Sequence, residues 1–206
     1  MSHRVVENVK ERIMEEAIRL FLRNGYKGTR VQDITDAVRV TKGAFYWYFK
    51  TKDALLDTII QEYERVYVDR LITELGQAQG NFIEKYKQLH KITAEFAYRY
   101  RDFCVGFMTL AAELTGSRTR HERRIIAVYT KLLSFLEGLI EEGKREGCVR
   151  KDVDSEMAAH CLNAIQNGSL LEWYMFHKTI DGASLAKNYR QIVLEGVSAA
   201  EWGKDT

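Results

Sequence analysis

The segment from Thr41 to Lys52 concentrates the side chains best suited to contact another molecule. It reads TKGAFYWYFKTK, with five aromatic residues in succession and three lysines. Adjacent residues of a helix point in different directions, so Tyr46, Trp47 and Tyr48 cannot all enter one core. Lysine and tyrosine side chains hydrogen-bond phosphates and base edges. The segment therefore predicts a short helix pressed into a charged groove, with Phe45 as its inward anchor.

Two preceding helices are expected to position that short helix. Apolar residues at helical spacing predict a first helix over residues 4–24, and Gly25 can end it in the left-handed conformation. Thr29 and Gln32 have the spacing of a capping box, which predicts a second helix ending near Val38. Two helices joined by a tight turn, the second of them exposed, form a helix-turn-helix.

Threonines mark the start of the next two helices. Thr41 can cap a third helix over residues 42–48, and Thr51 can cap a fourth. The fourth helix carries an apolar stripe well past residue 70, so it links the N-terminal unit to the rest of the chain without a flexible linker.

The remainder of the chain also has helical periodicity. The sequence contains no proline, which suits a nearly all-helical protein because proline breaks helix interiors. We expect an all-α fold of about nine helices, and the helix over 155–178 to be buried nearly all round because most of its sides are apolar. The further helices are predicted over about 81–100, 102–115, 119–146, 155–178 and 183–200.

Charge is distributed unevenly along a chain whose net charge is only +2. Residues 1–55 carry 11 Lys and Arg side chains against 7 Asp and Glu, whereas the remainder carries 20 against 22. A basic N-terminal quarter on a slightly acidic body is compatible with a nucleic-acid contact at one end. The asymmetry is modest and is equally compatible with a solvated charged face.

Three features predict a cytoplasmic protein. No apolar run approaches the roughly 18 residues that a membrane-spanning helix needs. The N-terminus has no apolar segment followed by a cleavage site, so no secretory signal is expected. The cysteines (Cys104, Cys148 and Cys161) are odd in number and widely spaced, which argues against a disulfide framework.

The run TRVQDITDAVRVTKGAFYWYFKTKD, from Thr29 to Asp53, resembles the DNA-binding signature of the TetR family of transcriptional regulators. The resemblance covers roughly residues 8–60, where the spacing, the turn and the order of the aromatic residues agree together. It implies a helix-turn-helix DNA-binding domain over 1–52 and a helical ligand-binding and dimerisation domain over 53–206. It also implies a ligand-responsive regulator, most often a repressor, although a DNA-binding activator stays open.

Arg39 departs from the family pattern, which has glycine at this position. A residue with a side chain costs on the order of 1 kcal/mol in the left-handed region. Either the turn bears this strain or its geometry is shifted, and Arg39 itself could touch phosphate or remain simply exposed.

The resemblance implies a set of DNA contacts at the front of the third helix and around it. Lys42 is expected to reach guanine or a phosphate, and Gly43 and Ala44 to permit close approach. Lys52 and Thr29 are expected to hold the DNA backbone at two helix N-termini. The full predicted set is Thr29, Gln32, Thr41, Lys42, Gly43, Ala44, Tyr46, Trp47, Tyr48 and Lys52.

The resemblance further implies a homodimer on a pseudo-palindromic operator, formed through the last two helices, and a small effector held in the body. The amides of Asn163, Gln166 and Asn167 share one helical face and need hydrogen-bond partners if buried. They could bind an apolar or aromatic effector with one or two polar groups, or they could bond across the dimer. The large side chains could equally be ordinary core. The predicted lining is Tyr98, Phe103, Phe107, Met108, Asn163, Gln166, Asn167 and Trp173.

Enzymatic function is not expected, because no Gly-rich phosphate loop, HExxH or GxSxG motif occurs. No cofactor is expected either. His160 and Cys161, together with Cys104 and His90, could form a metal or redox sensor only if the fold brought them together. Buried thiols are the simpler interpretation.

Overall fold

A computed structural model describes the backbone of residues 2–198 and the side chains of residues 9–198. The helices are α1 (Ser2–Gly28), α2 (Val31–Val38), α3 (Lys42–Tyr48), α4 (Lys52–Tyr63), α5 (Arg70–Gly76), α6 (Phe82–Arg99), α7 (Arg101–Leu114), α8 (Arg120–Arg145), α9 (Ser155–Phe176) and α10 (Gly182–Val197).

The predicted all-α class is confirmed. A π-helical segment, Glu64–Asp69, follows α4 directly and leads into α5. With α4, this segment and α5 counted as one helix, the described residues contain nine, as expected. The predicted third helix over 42–48 coincides with α3. No described helix has the length and apolar character needed to cross a membrane.

The chain divides into two compact units. The head unit comprises residues up to Val66 together with Tyr100–Ile126, and the body unit comprises Tyr67–Arg99 and the chain from Ala127 onward. The described part of the predicted DNA-binding domain, which ends at residue 52, lies within the head unit.

The head unit is built around close contact between α1 and α7. Gly106 on α7 faces Ile18 on α1, and a Cβ at Gly106 would lie 2.6 Å from the Ile18 Cγ2. Only glycine lets the two helices approach this closely. Other fully buried side chains, among them Phe21, Phe45 and Leu56, fill the rest of the head core. Their burial supplies the main stabilising contribution to this unit.

The body unit packs α6 against α5, α9 and α10. Gly143 on α8 faces the Phe82 ring and Val149, and a Cβ there would lie 2.7 Å from each. Lys85 on α6 pairs with Glu142 on α8 at 2.7 Å. The structure contains no β-strand among the described residues, only an isolated bridge between Val149 and Ser198.

The expectation that the helix over 155–178 is buried nearly all round is wrong for the single chain. On α9, Ile165, Leu171, Met175 and Phe176 are all exposed. Ile192 on α10 is 68% exposed. Hydrophobic side chains on every side of α9 show that it needs partners, but do not show whether those partners belong to the same chain.

Candidate nucleic-acid interface and effector cavity

Arg39 takes the left-handed conformation that ends α2, with φ of 59° and ψ of 50°. The Val40 amide donates to the Thr35 carbonyl at 2.9 Å, and the Arg39 amide donates to Asp36 at 3.1 Å. These two hydrogen bonds form a Schellman motif. Of the two alternatives, the turn therefore keeps the standard geometry and bears the strain of a side chain at this position.

α3 is anchored on one face and presented on the other. The Thr41 hydroxyl accepts a hydrogen bond from the Ala44 amide at 3.1 Å, as predicted for its N-cap. The prediction that Phe45 is the inward anchor of α3 is confirmed, because Phe45 is buried in the head core, as is Phe49. On the opposite side the Trp47 ring is 82% exposed. The exposure of so large an apolar ring does not stabilise an isolated domain.

The structure leaves most of the predicted DNA contacts accessible. Thr41, Lys42 and Gly43 at the start of α3 are exposed, and Tyr46 is half exposed. Ala44 and Tyr48 are half-buried. Gln32 is exposed on α2, with its amide donating to Asp36 at 2.5 Å.

Thr29 does not present its hydroxyl to a ligand, and the expected capping box of Thr29 and Gln32 is wrong. Thr29 is buried, and its hydroxyl donates to the Gly25 carbonyl at 2.8 Å. The N-cap of α2 is instead Arg30, whose amide donates to Asp33 at 2.7 Å. Both threonine and arginine can precede a helix, and the packing of Thr29 under α1 decided between them.

Lys52 is also occupied within the head unit. Its Nζ donates to the carbonyls of Tyr26 and Thr29 at 2.6 and 2.7 Å and lies 4.3 Å from the centre of the Tyr26 ring. Loss of hydration lowers the pKa of Lys52. Lys52 thus ties α4 to the end of α1, and in this geometry its ammonium does not face outward toward DNA.

The end of α1 is fixed by a second long-range contact. Gly25, at φ of 72°, interrupts the helical geometry. The amides of Tyr26 and Lys27 then donate to the Glu113 carboxylate of α7 at 2.7 and 3.2 Å. The Tyr26 hydroxyl donates to Asp53, and burial followed by this hydrogen bond raises the pKa of Tyr26. Glu113 was not singled out from the sequence, where no local pattern marks it.

A mostly apolar cavity of about 990 Å³ lies within the body unit, between the end of α6, α9 and the start of α10. Three of the predicted effector contacts line it: Tyr98, Gln166 and Trp173. Asn163 and Asn167 are half-buried on α9 but do not line it.

The other three predicted effector contacts belong to the head unit and are not among the residues that line this cavity. Phe107 is fully buried, and its ring stacks on Tyr63 with centroids 3.7 Å apart. Phe103 is half-buried and also lies against Tyr63, at 5.8 Å, and Met108 is half-buried on α7. The ring of Phe107 is therefore ordinary core, which was the open alternative.

A polar cluster that the sequence did not reveal stands beside the cavity. The Tyr189 hydroxyl donates to the Gln166 side-chain oxygen. The Thr93 hydroxyl donates to the His90 carbonyl at 3.0 Å and lies 3.4 Å from the same Gln166 oxygen. The His90 ring lies 4.6 Å from that of Tyr189, and its buried Nε2 has no hydrogen-bond partner within the described part of the chain. Burial, followed by the charge of Arg190, lowers the pKa of His90 to about 4. His90 is therefore neutral near pH 7.

The metal or redox alternative finds no support in the described part of the chain. No group of three or more His, Cys, Asp and Glu side chains there is arranged to hold a metal ion. Cys104 is buried in the head core, where burial raises the pKa of its thiol to about 12. Cys161 is exposed on α9 and belongs to the other unit.

The anchored and exposed α3, following α2 through a Schellman turn, defines a helix-turn-helix DNA-binding protein. Residues 13–59 match the sequence model of the bacterial regulatory proteins of the tetR family. Residues 66–196 match that of the YsiA-like protein C-terminal region. The chain belongs to the TetR family, and it is a DNA-binding, ligand-responsive transcriptional regulator of the repressor type.

Similar proteins include regulators of known structure. The MbdR regulator from Azoarcus sp. CIB superposes with a TM-score of 0.83 and 28% identity, over 93% of this chain and 100% of that one. The fatty acid metabolism regulator protein of Bacillus subtilis is 22% identical over 90% of this chain and 93% of its own length. FadR from Bacillus subtilis, solved in complex with stearoyl-CoA, shares the fold with a TM-score of 0.73 and 19% identity, over 90% and 98%.

Proposed function

We propose that this protein is a homodimeric repressor that binds a pseudo-palindromic DNA operator through α3 and leaves it when an acyl-coenzyme A thioester fills the body cavity. The observation that carries the proposal is the exposure of Trp47 and Lys42 on a helix whose other face is locked into the head core. Such a regulator acts in the bacterial cytoplasm, where the chromosome lies.

In this proposal the start of α3 enters the major groove. Lys42 reads guanine, while Gly43 and Ala44 allow the helix to approach the bases closely. The longer side chains around them reach phosphates and sugars and set the position of the helix. This second group comprises Gln32, Thr41, Tyr46, Trp47 and Tyr48. Thr29 and Lys52 act indirectly, by holding α1, α2 and α4 in place.

A matched pair of lysine substitutions tests these roles. Lys42→Ala should lower affinity for the operator relative to a scrambled duplex by about 1–3 kcal/mol, because a base contact is lost. Its thermal unfolding should not change. Lys52→Met should instead lower stability, because two carbonyls lose their donor. Fluorescence anisotropy and thermal unfolding separate the two effects. A Lys42→Ala protein with unchanged sequence preference would refute the assignment of Lys42.

The exposed apolar residues of α9 and α10 support a dimer of this chain through those helices. One seven-residue helix reads only a few base pairs, and two of them one DNA turn apart read a pseudo-palindrome. A Cβ at Gly168 or Gly196 would meet nothing within 4 Å among the residues that the structure describes, so these positions are open to close approach by another helix. Two helices from each subunit would form an isologous four-helix bundle.

The proposed effector class rests on the cavity and on one relative. The cavity is mostly apolar, as an acyl chain requires, and Arg99 and Lys178 among its lining residues suit a negatively charged ligand. FadR from Bacillus subtilis was solved with stearoyl-CoA. A thioester of this class has both the apolar chain and the anionic group that such a lining would select.

The experiment is release of DNA by candidate effectors. Wild-type protein is bound to the DNA upstream of its own coding sequence and titrated with octanoyl-CoA, octanoate or free coenzyme A. Octanoyl-CoA should release the DNA at the lowest concentration. If the protein binds no genomic fragment at low salt, the proposed regulatory function is wrong. If only octanoate releases the DNA, the proposed thioester effector is wrong.

A further inference from the structure

Two aromatic rings in the body cavity face each other with room to open. Tyr98 and Trp173 have ring centroids 6.2 Å apart and planes inclined by 22°. In contrast, Tyr63 and Phe107 in the head unit stack at 3.7 Å, which leaves no space between them. A flat ring held between two others needs them about 7 Å apart, because carbon atoms pack at about 3.5 Å. The Tyr98 ring is 79% exposed and can rotate outward by this small amount.

The tryptophan side of this pair is fixed by the backbone. The indole of Trp173 packs against Gly182 at the start of α10, where a Cβ would lie 2.8 Å from the indole Nε1. Only glycine leaves the indole room to lie there. Trp173 is the half-buried member of the pair, and Tyr98 is the exposed one.

Basic side chains line the same cavity. Arg99 follows Tyr98 at the end of α6, and Lys178 lies just after α9. Two acidic side chains share the lining: Asp181 accepts from the Ser184 amide at 2.8 Å, and Glu95 lies 3.9 Å from Lys91. The cavity thus combines a ring slot and cationic groups with an apolar remainder.

We infer that Tyr98 and Trp173 clamp the adenine ring of a coenzyme A effector, while Arg99 and Lys178 bind its phosphates. The apolar remainder of the cavity, including Leu170, takes the acyl chain. Stacking between aromatic faces and charge pairing with phosphates are the two interactions that an adenine nucleotide offers. The inference rests on the proposed function and assigns the nucleotide end of its effector to named residues.

The test compares two thioesters that differ only in the nucleotide. Octanoyl-CoA and octanoyl-pantetheine share the acyl chain and the thioester. The ratio of their dissociation constants therefore measures the contribution of the nucleotide to binding. Isothermal titration of the wild-type protein should give octanoyl-CoA an advantage of roughly tenfold or more. In Tyr98→Ala and Trp173→Leu this advantage should fall to about twofold, with octanoyl-pantetheine binding unchanged.

Two further variants make the result specific. Tyr98→Phe keeps the ring and should keep the advantage. Gly182→Ala should displace the indole and so reduce the advantage of octanoyl-CoA over octanoyl-pantetheine. Alanine is favourable in the first turn of a helix, so α10 itself should remain intact. Because Tyr98 is exposed, its replacement leaves the fold intact.

Each outcome decides one of the two proposals. If Tyr98→Ala and Trp173→Leu weaken both thioesters equally, or neither, the clamp is wrong while the thioester effector stands. If neither thioester binds the wild-type protein, the proposed effector is wrong. The clamp is then decided by free coenzyme A and adenosine 3′,5′-bisphosphate. If these two nucleotides bind the wild-type protein and bind Trp173→Leu more weakly, the nucleotide site stands. If they do not bind, the clamp is wrong.

Discussion

Arg39 holds a backbone conformation that the TetR signature usually assigns to glycine, and it does so inside an intact Schellman motif. The strain comes from the Cβ, not from the guanidinium. Arg39→Gly should therefore raise the free energy of unfolding by about 1 kcal/mol, and Arg39→Ala should not, because alanine keeps the Cβ. Urea denaturation of the three proteins measures this. Equal stabilisation by both replacements would place the cost in the side chain instead.

His90 should make the body unit sensitive to acid. Its pKa is about 4 in the folded chain, against 6.5 for a free histidine. Between these values the unfolded chain binds a proton that the folded chain does not, so stability falls as pH drops from about 6.5 to about 4. The expected loss is of order 1–3 kcal/mol.

The control for this prediction is His90→Asn, which cannot titrate and retains a side-chain donor. Urea denaturation at pH 7 and at pH 4.5 should show a smaller loss of stability in the variant than in the wild type. Identical losses would mean that other groups, such as carboxylates, account for the whole pH dependence.

At the scale of elements, Glu113 joins α7 to the end of α1. Its carboxylate accepts the amides of Tyr26 and Lys27, which have left the helical hydrogen-bond pattern after Gly25. Glu113→Ala should lower the stability of the head unit by about 1–3 kcal/mol, because two amides lose their acceptor. Glu113→Gln keeps one acceptor oxygen and should lose less. Hydrogen exchange of the Tyr26 amide reports the same contact locally, and unchanged protection in Glu113→Ala would contradict it.

At the scale of the whole molecule, the exposed apolar face of α9 and α10 is the proposed site of self-association. Ile192→Glu should convert the dimer to monomers and weaken operator binding, because a carboxylate is costly to bury in an apolar interface. Ile126→Glu is the matched control, since Ile126 on α8 is 56% exposed and Ile192 is 68% exposed. Sedimentation velocity distinguishes the two. Dissociation by Ile126→Glu but not by Ile192→Glu would move the interface to α8.

The helices and the DNA-binding unit could be predicted from the amino-acid sequence, because helical periodicity, caps and turn residues act over a few positions. The bounds of α3, the caps at Thr41 and Thr51, and the inward direction of Phe45 and Phe49 were all predictable from neighbouring residues.

Tertiary structure alone decided which side chains of distant segments meet. It turned the Lys52 ammonium inward to the carbonyls of Tyr26 and Thr29, and it placed Glu113, which is 87 residues from Tyr26 in the sequence, on the Tyr26 amide. It also joined Tyr98 to Trp173 in the cavity. Such pairings depend on how helices pack against one another, and apolar periodicity shows that a face must be covered without naming what covers it.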